Sequence, residues 1–147
     1  MHDHPYAQPP RAGMRVLKTV LPFAAFLFFL AVWTWELLAE NPVPDPVKRA
    51  IPDAWKFWLA KSLHVCAYAF LTVLAGLLPV GREYFWGAVA LLLLHGIGGE
   101  IGQTFVNGRH GSVRDVGLDW VGVVLGLVAL QVGKWVFGGR SRPAYAP

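Results

Sequence analysis

Nine polar side chains carry the chemistry open to this chain, and their spacing sorts them into three groups. Lys61, His64 and Tyr68 stand three and four residues apart, the interval that puts side chains on one face of a helix. Glu100 and Gln103 repeat that interval, and Arg109, Ser112, Asp115 and Asp119 form the third group. Lys61 and Arg109 can engage an anion, and an arginine can grip a phosphate or carboxylate with two parallel bonds. His64, Glu100 and Asp115 are the candidates for general acid–base catalysis. All nine are candidate substrate-binding residues. Each also has a structural role open to it. His64 can simply be held by Glu100 or Asp115, and Arg109 can neutralise Glu100. Ser112 with Asp115 three residues on approximates a capping box, a role better suited to it than nucleophile.

A metal site built from His64, Glu100, His110 and Asp115 has acceptable ligand chemistry. Those residues follow no characteristic ligand spacing, so neither a metal nor a cofactor is expected. His2 and His4 read as part of a loose tail, and His95, in an apolar run, reads as a packed helix residue. Cys66 is the single cysteine, which excludes an intramolecular disulfide; a small packed side chain is its expected role.

The elements that must position these residues are long and apolar. Of the 147 residues, 55% are hydrophobic and 15% charged, and the mean hydropathy is +0.45. Seventeen uncharged residues separate Lys18 from Glu36, twenty separate Lys61 from Arg82, sixteen separate Glu83 from Glu100, and fourteen separate Asp119 from Lys134. A membrane-spanning helix needs about 20 residues, so the last two runs suffice only if Glu100, Asp115 and Asp119 stand at or inside the membrane boundary. The expected fold is all-α, an integral membrane four-helix transmembrane bundle, with spans at 16–38, 61–78, 83–103 and 115–137. A water-exposed bundle would need a polar outer face, and a β-barrel would need period-two alternation; neither is present. Residues 1–15 and 138–147 read as disordered tails around a domain at 16–137. Trp55, Phe57 and Trp58 mark 53–60 as an interfacial turn leading into the second span. The first run exceeds the apolar region of a signal peptide and is followed by Glu36 and Glu40, so it reads as an uncleaved helix.

The net charge of +4 does not point to nucleic acid, because the basic residues are scattered at helix ends, where they anchor a membrane protein. With both termini inside, seven Lys and Arg residues lie on the inner face and six on the outer. Arg11, Arg15 and Lys18 before the first span favour that orientation. Alternating spans bring Glu36 and all three polar groups to one face in either orientation. Gly98 with Gly102, and Gly122 with Gly126, are small-xxx-small pairs of the kind that let membrane helices approach closely. They predict a tight contact between the third and fourth spans.

Lys61-Ser-Leu-His64 with Tyr68, Glu100-x-x-Gln103, Arg109-x-x-Ser112-x-x-Asp115 and Gly122-x-x-x-Gly126 together resemble the VanZ-like family of small bacterial membrane proteins over about residues 15–137. The resemblance implies a helical membrane protein of the cell envelope, in a family whose founding member is associated with low-level teicoplanin resistance. Where that family usually shows Asn four residues after its aspartate, this chain has Asp119. Two functions follow as expectations. One is binding of an anionic lipid head group or lipid-linked cell-wall precursor through Lys61, Arg109 and His64. The other is an enzyme acting on a lipid-linked substrate, with His64 or Glu100 as acid–base and Arg109 stabilising developing charge. Membrane lipids are the expected partners, a second copy of the chain is a further one, and nucleic acid is not expected. The inner bacterial membrane is the expected location.

Overall fold

The computed structural model describes residues 12–40 and 43–138, and all regular structure among them is helical. The elements are α1 (Ala12–Leu38), α2 (Asp45–Ala50), α3 (Asp53–Gly76), α4 (Arg82–Gln103) and α5 (Val113–Gly138). Apart from α2, each is long and apolar enough to cross a membrane. The protein is a four-helix transmembrane bundle.

Prolines and glycines set the breaks. Pro44 precedes α2, Pro46 sits in its first turn, and Pro52 precedes α3, positions where a missing N–H costs no helical bond. Gly81 begins α4, and Gly108, with φ of +74°, turns the chain between α4 and α5. Two boundaries differ from the sequence reading by more than two residues, and the short α2 is an element it did not include. The turn expected at 53–60 is continuous with the second span, because nothing between Asp53 and Lys61 interrupts helical bonding. The first helix starts at Ala12, inside the stretch read as tail; residues 1–11 and 139–147 lie outside the described residues.

The helices alternate in direction. Thr34, Leu37 and Leu38 of α1 meet His95, Gly99 and Gly102 of α4 in the same order, so these two run parallel. The pairs of α3 and α5 also advance together: Lys61 with Asp115, His64 with Asp119, Tyr68 with Gly122, Thr72 with Gly126 and Gly76 with Leu130. These two helices form a parallel, in-register pair, and theirs is the most extensive contact in the bundle. The glycines explain it. A Cβ on Gly122 would collide with the Val65 carbonyl oxygen, and one on Gly126 would lie 2.6 Å from that of Ala69. The Gly122–Gly126 notch therefore seats the second span rather than the third. On α4 the close approach to α5 is at Gly96, against Asp119, while Gly99 and Gly102 face α1 and Gly98 is open.

The lateral surface of the bundle is largely apolar, with Leu21, Leu27, Phe28, Leu94 and Val124 all more than half exposed. A water-soluble protein rarely carries so large a continuous apolar surface; lipid tails suit it. Cys66 is exposed on this surface rather than packed inside. Within the bundle, Phe26, Leu71, Ala75, Val89, Leu92 and Val123 form an apolar core toward one end. The other end is polar, and Tyr68 marks the border.

Candidate functional site

The polar end is built in tiers because α3 and α5 are in register. At the outer tier, Lys61 Nζ donates to both carboxylate oxygens of Asp115, each at 2.6 Å. One turn deeper, His64 Nδ1 lies 2.8 Å from Asp119 Oδ1. Side-chain exposure falls with depth, from 23% at Lys61 to 12% at His64 along α3, and from 9% at Asp115 to 1% at Asp119 along α5. Glu100 enters the second tier from α4. Its Oε2 accepts from the Ser112 backbone N–H at 2.7 Å, a closeness that Gly111 permits, since a Cβ there would overlap the Glu100 carbonyl oxygen.

The third tier lies at the border of the apolar core and has a fixed direction. Thr34 donates its single hydroxyl proton to the Leu30 carbonyl at 2.7 Å. It can therefore only accept from His95 Nε2, 2.8 Å away. With Nε2 holding the proton of a neutral ring, Nδ1 accepts from the Tyr68 hydroxyl at 2.8 Å. Trp33 packs edge-on against both His64 and Tyr68, with ring centroids 5.5 and 6.3 Å away.

Four buried polar atoms here have no hydrogen-bond partner among the described residues: Glu100 Oε1, Asp119 Oδ2, Gln103 Nε2 and Trp33 Nε1. Native interiors leave few such groups unpaired. His64, Glu100 and Asp119 each offer one ligand atom, all within 4.8 Å of one another. They are the residues placed to hold an ion.

The nine residues singled out from the sequence share this end of the bundle but divide their tasks. Lys61, His64, Tyr68, Glu100, Gln103, Asp115 and Asp119 line its interior. Arg109 does not reach Glu100. Its Nε donates to the Ala39 carbonyl at 3.2 Å and its Nη2 to the Glu36 and Ala39 carbonyls at 3.1 and 3.0 Å, closing the end of α1. Ser112 acts through its backbone, donating to Glu100 and accepting from the Asp115 N–H at 2.9 Å. His64 pairs with Asp119, neither of the partners expected. Exposed His110 lies outside the ligand cluster. His95, Thr34 and Trp33 are participants the sequence reading missed. The one available signal was Thr34, the only hydroxyl in the apolar run 20–35.

Arg114 belongs at the rim. It is exposed, and both its guanidinium and the Lys61 ammonium approach the Phe57 ring, at 5.7 and 5.4 Å from the centroid. No carboxylate is paired with Arg114 among the described residues.

A model of the VanZ/LLP1 family matches residues 4–134. No curated protein and no solved structure gives a match. The chain belongs to the VanZ/LLP1 family.

Proposed function

We propose that the protein sits in the bacterial inner membrane with its termini cytoplasmic, and binds an anionic head group at the polar end of its bundle. The group is the phosphate of a membrane lipid or of a lipid-linked cell-wall precursor. One observation carries this reading: Lys61 and Arg114 converge on the Phe57 ring at the rim, and Arg114 has no acidic partner among the described residues. An exposed cation held against an aromatic face is positioned without being neutralised, so a phosphate meets a positive rim. Lys61 is shared between Asp115 and this rim; Arg109 supports it by fixing the loop on α1.

The test is native mass spectrometry of the purified protein with phosphatidylglycerol, phosphatidylcholine and a polyprenyl pyrophosphate. Phosphatidylglycerol or the pyrophosphate should be retained over phosphatidylcholine, and Arg114→Gln should reduce that retention by about threefold or more. Equal retention of all three lipids, or an unaffected variant, refutes the reading.

A second reading has its own observation. His64 paired to Asp119, with the free Glu100 oxygen beside it, is an acid–base arrangement suited to an enzyme modifying a lipid-linked substrate. Loss of product formation in His64→Gln with lipid retention intact would favour it.

A further inference from the structure

We propose that His64, Glu100 and Asp119 bind a divalent transition-metal ion, of the zinc or manganese class, in the second tier of the polar end. The proposal is independent of which lipid occupies the rim, because the ion is held entirely by side chains of α3, α4 and α5.

Three observations meet at these residues. The first is proximity, with one ligand atom from each within 4.8 Å of the others. Two ligand atoms on one tetrahedral ion, each about 2.0–2.1 Å from it, stand roughly 3.3 Å apart. His64 Nδ1 and Asp119 Oδ1 are already 2.8 Å apart, so an ion can replace the proton between them with a small outward movement, and Glu100 closes in by side-chain rotation.

The second is unmet bonding capacity. Glu100 is 4% exposed and Asp119 fully buried, yet Oε1 of the one and Oδ2 of the other have no hydrogen-bond partner among the described residues. The Gln103 Nε2 donor, three residues along α4, does not bond Glu100 and is itself without a partner among the described residues. A bound cation would hold both carboxylates ionised, where their oxygens are acceptor-only, and would supply the partner each lacks.

The third is charge. Lys61 and Asp115 offset each other in the outer tier, and Arg109 is turned onto the carbonyls of α1. Tyr68 and His95, facing the site from the core side, bond each other as neutral groups. When Glu100 and Asp119 are ionised, the His64 imidazole is the one basic side chain bonded to either of them among the described residues, and a divalent ion balances the two carboxylates. One imidazole and two carboxylates suit transition metals rather than calcium, which takes six to eight oxygen ligands. Three protein ligands also leave coordination positions open, and the His64 side chain is 12% exposed.

The experiment uses the full chain, purified in a neutral detergent after removal of any histidine tag and treatment with a chelator. Zinc and manganese chlorides are titrated separately, following Trp fluorescence, since Trp33 lies against His64. Bound metal is counted by elemental mass spectrometry after desalting. About one ion per chain is expected, with affinity reduced on the order of tenfold or more in Glu100→Gln and in Asp119→Asn. Glu100→Gln keeps an acceptor for the Ser112 N–H, so it carries the test if Asp119→Asn does not fold. Failure of the wild type to retain either metal overturns the proposal. So does equal retention by wild type and Glu100→Gln, which would mark the metal as adventitious.

Discussion

Breaking the Lys61–Asp115 pair separates its structural from its recognition role. In Lys61→Met the apolar stem of the side chain is nearly conserved, but Asp115 loses the cation bonded to it among the described residues while its side chain stays 9% exposed. Breaking a buried ion pair from one side costs about 3–5 kcal/mol. Lys61 is 23% exposed, so water partly replaces it, and the expected loss is nearer 2–3 kcal/mol. The double variant Lys61→Met/Asp115→Leu removes both charges and should return to within about 1 kcal/mol of wild type. Equilibrium unfolding in mixed micelles, completed as a four-member double-mutant cycle, measures the coupling. A Lys61→Met cost below about 0.5 kcal/mol, or additive single changes, would refute the assignment of this pair as a buried structural contact. Lipid retention by the double variant then isolates the cation's contribution to head-group binding, since stability has been restored.

Two further outcomes follow from the ladder between α3 and α5. Gly122→Ala places a methyl group on the Val65 carbonyl and should cost about 1–3 kcal/mol in the same unfolding assay, whereas Gly117→Ala, with nothing within 4 Å of the added carbon, should be neutral or slightly stabilising. Equal effects would show that α5 does not lie on the backbone of α3. Tyr68→Phe removes the proton donated to His95 Nδ1 and should cost about 1–3 kcal/mol by leaving that nitrogen without a donor; a change within about 0.5 kcal/mol would refute the hydrogen-bond direction assigned to Tyr68, His95 and Thr34.

The spans and their shared polar face were legible in the sequence because both depend on uncharged run lengths and on alternation, which single segments reveal. The tiers were only half legible. Lys61, His64 and Tyr68 could be placed on one face by spacing, and so could Asp115, Asp119, Gly122 and Gly126. That these two faces meet each other depends on which helices pack, and a glycine pair does not name its partner. The reading therefore sent Gly122 and Gly126 to the third span and left His64 without Asp119. Arg109 shows a different limit. Its charge suggested a carboxylate or phosphate, but the unpaired carbonyls that end α1 also attract a guanidinium, and carbonyls are invisible in residue types. His95 was hidden for a similar reason, because its partners Tyr68 and Thr34 come from two other spans.

Depth connects the two ends of this site. Asp119 is six residues into α5 and Glu100 three residues from the end of α4, so at 1.5 Å per residue both lie within about 9 Å of the helix ends. Lys61, level with Asp115, is eight residues into α3, so that helix projects about 9 Å beyond the start of α5. The projecting turns carry Trp55, Phe57 and Trp58, all exposed, as expected of side chains seated among lipid head groups. Helical continuity through 53–60 therefore changes what the aromatic residues do. A separate interfacial turn could lie anywhere on the membrane surface, but Phe57 on a rigid extension of α3 is fixed above the outer tier, one turn from Lys61. On the proposed reading, a phosphate drawn to Lys61 and Arg114 stands at the head-group level over the carboxylates of Glu100 and Asp119. Those carboxylates would repel it unless they are neutralised. A metal ion in the second tier removes that conflict, so anionic lipid retention should rise when zinc or manganese is added to the wild type and not in Glu100→Gln.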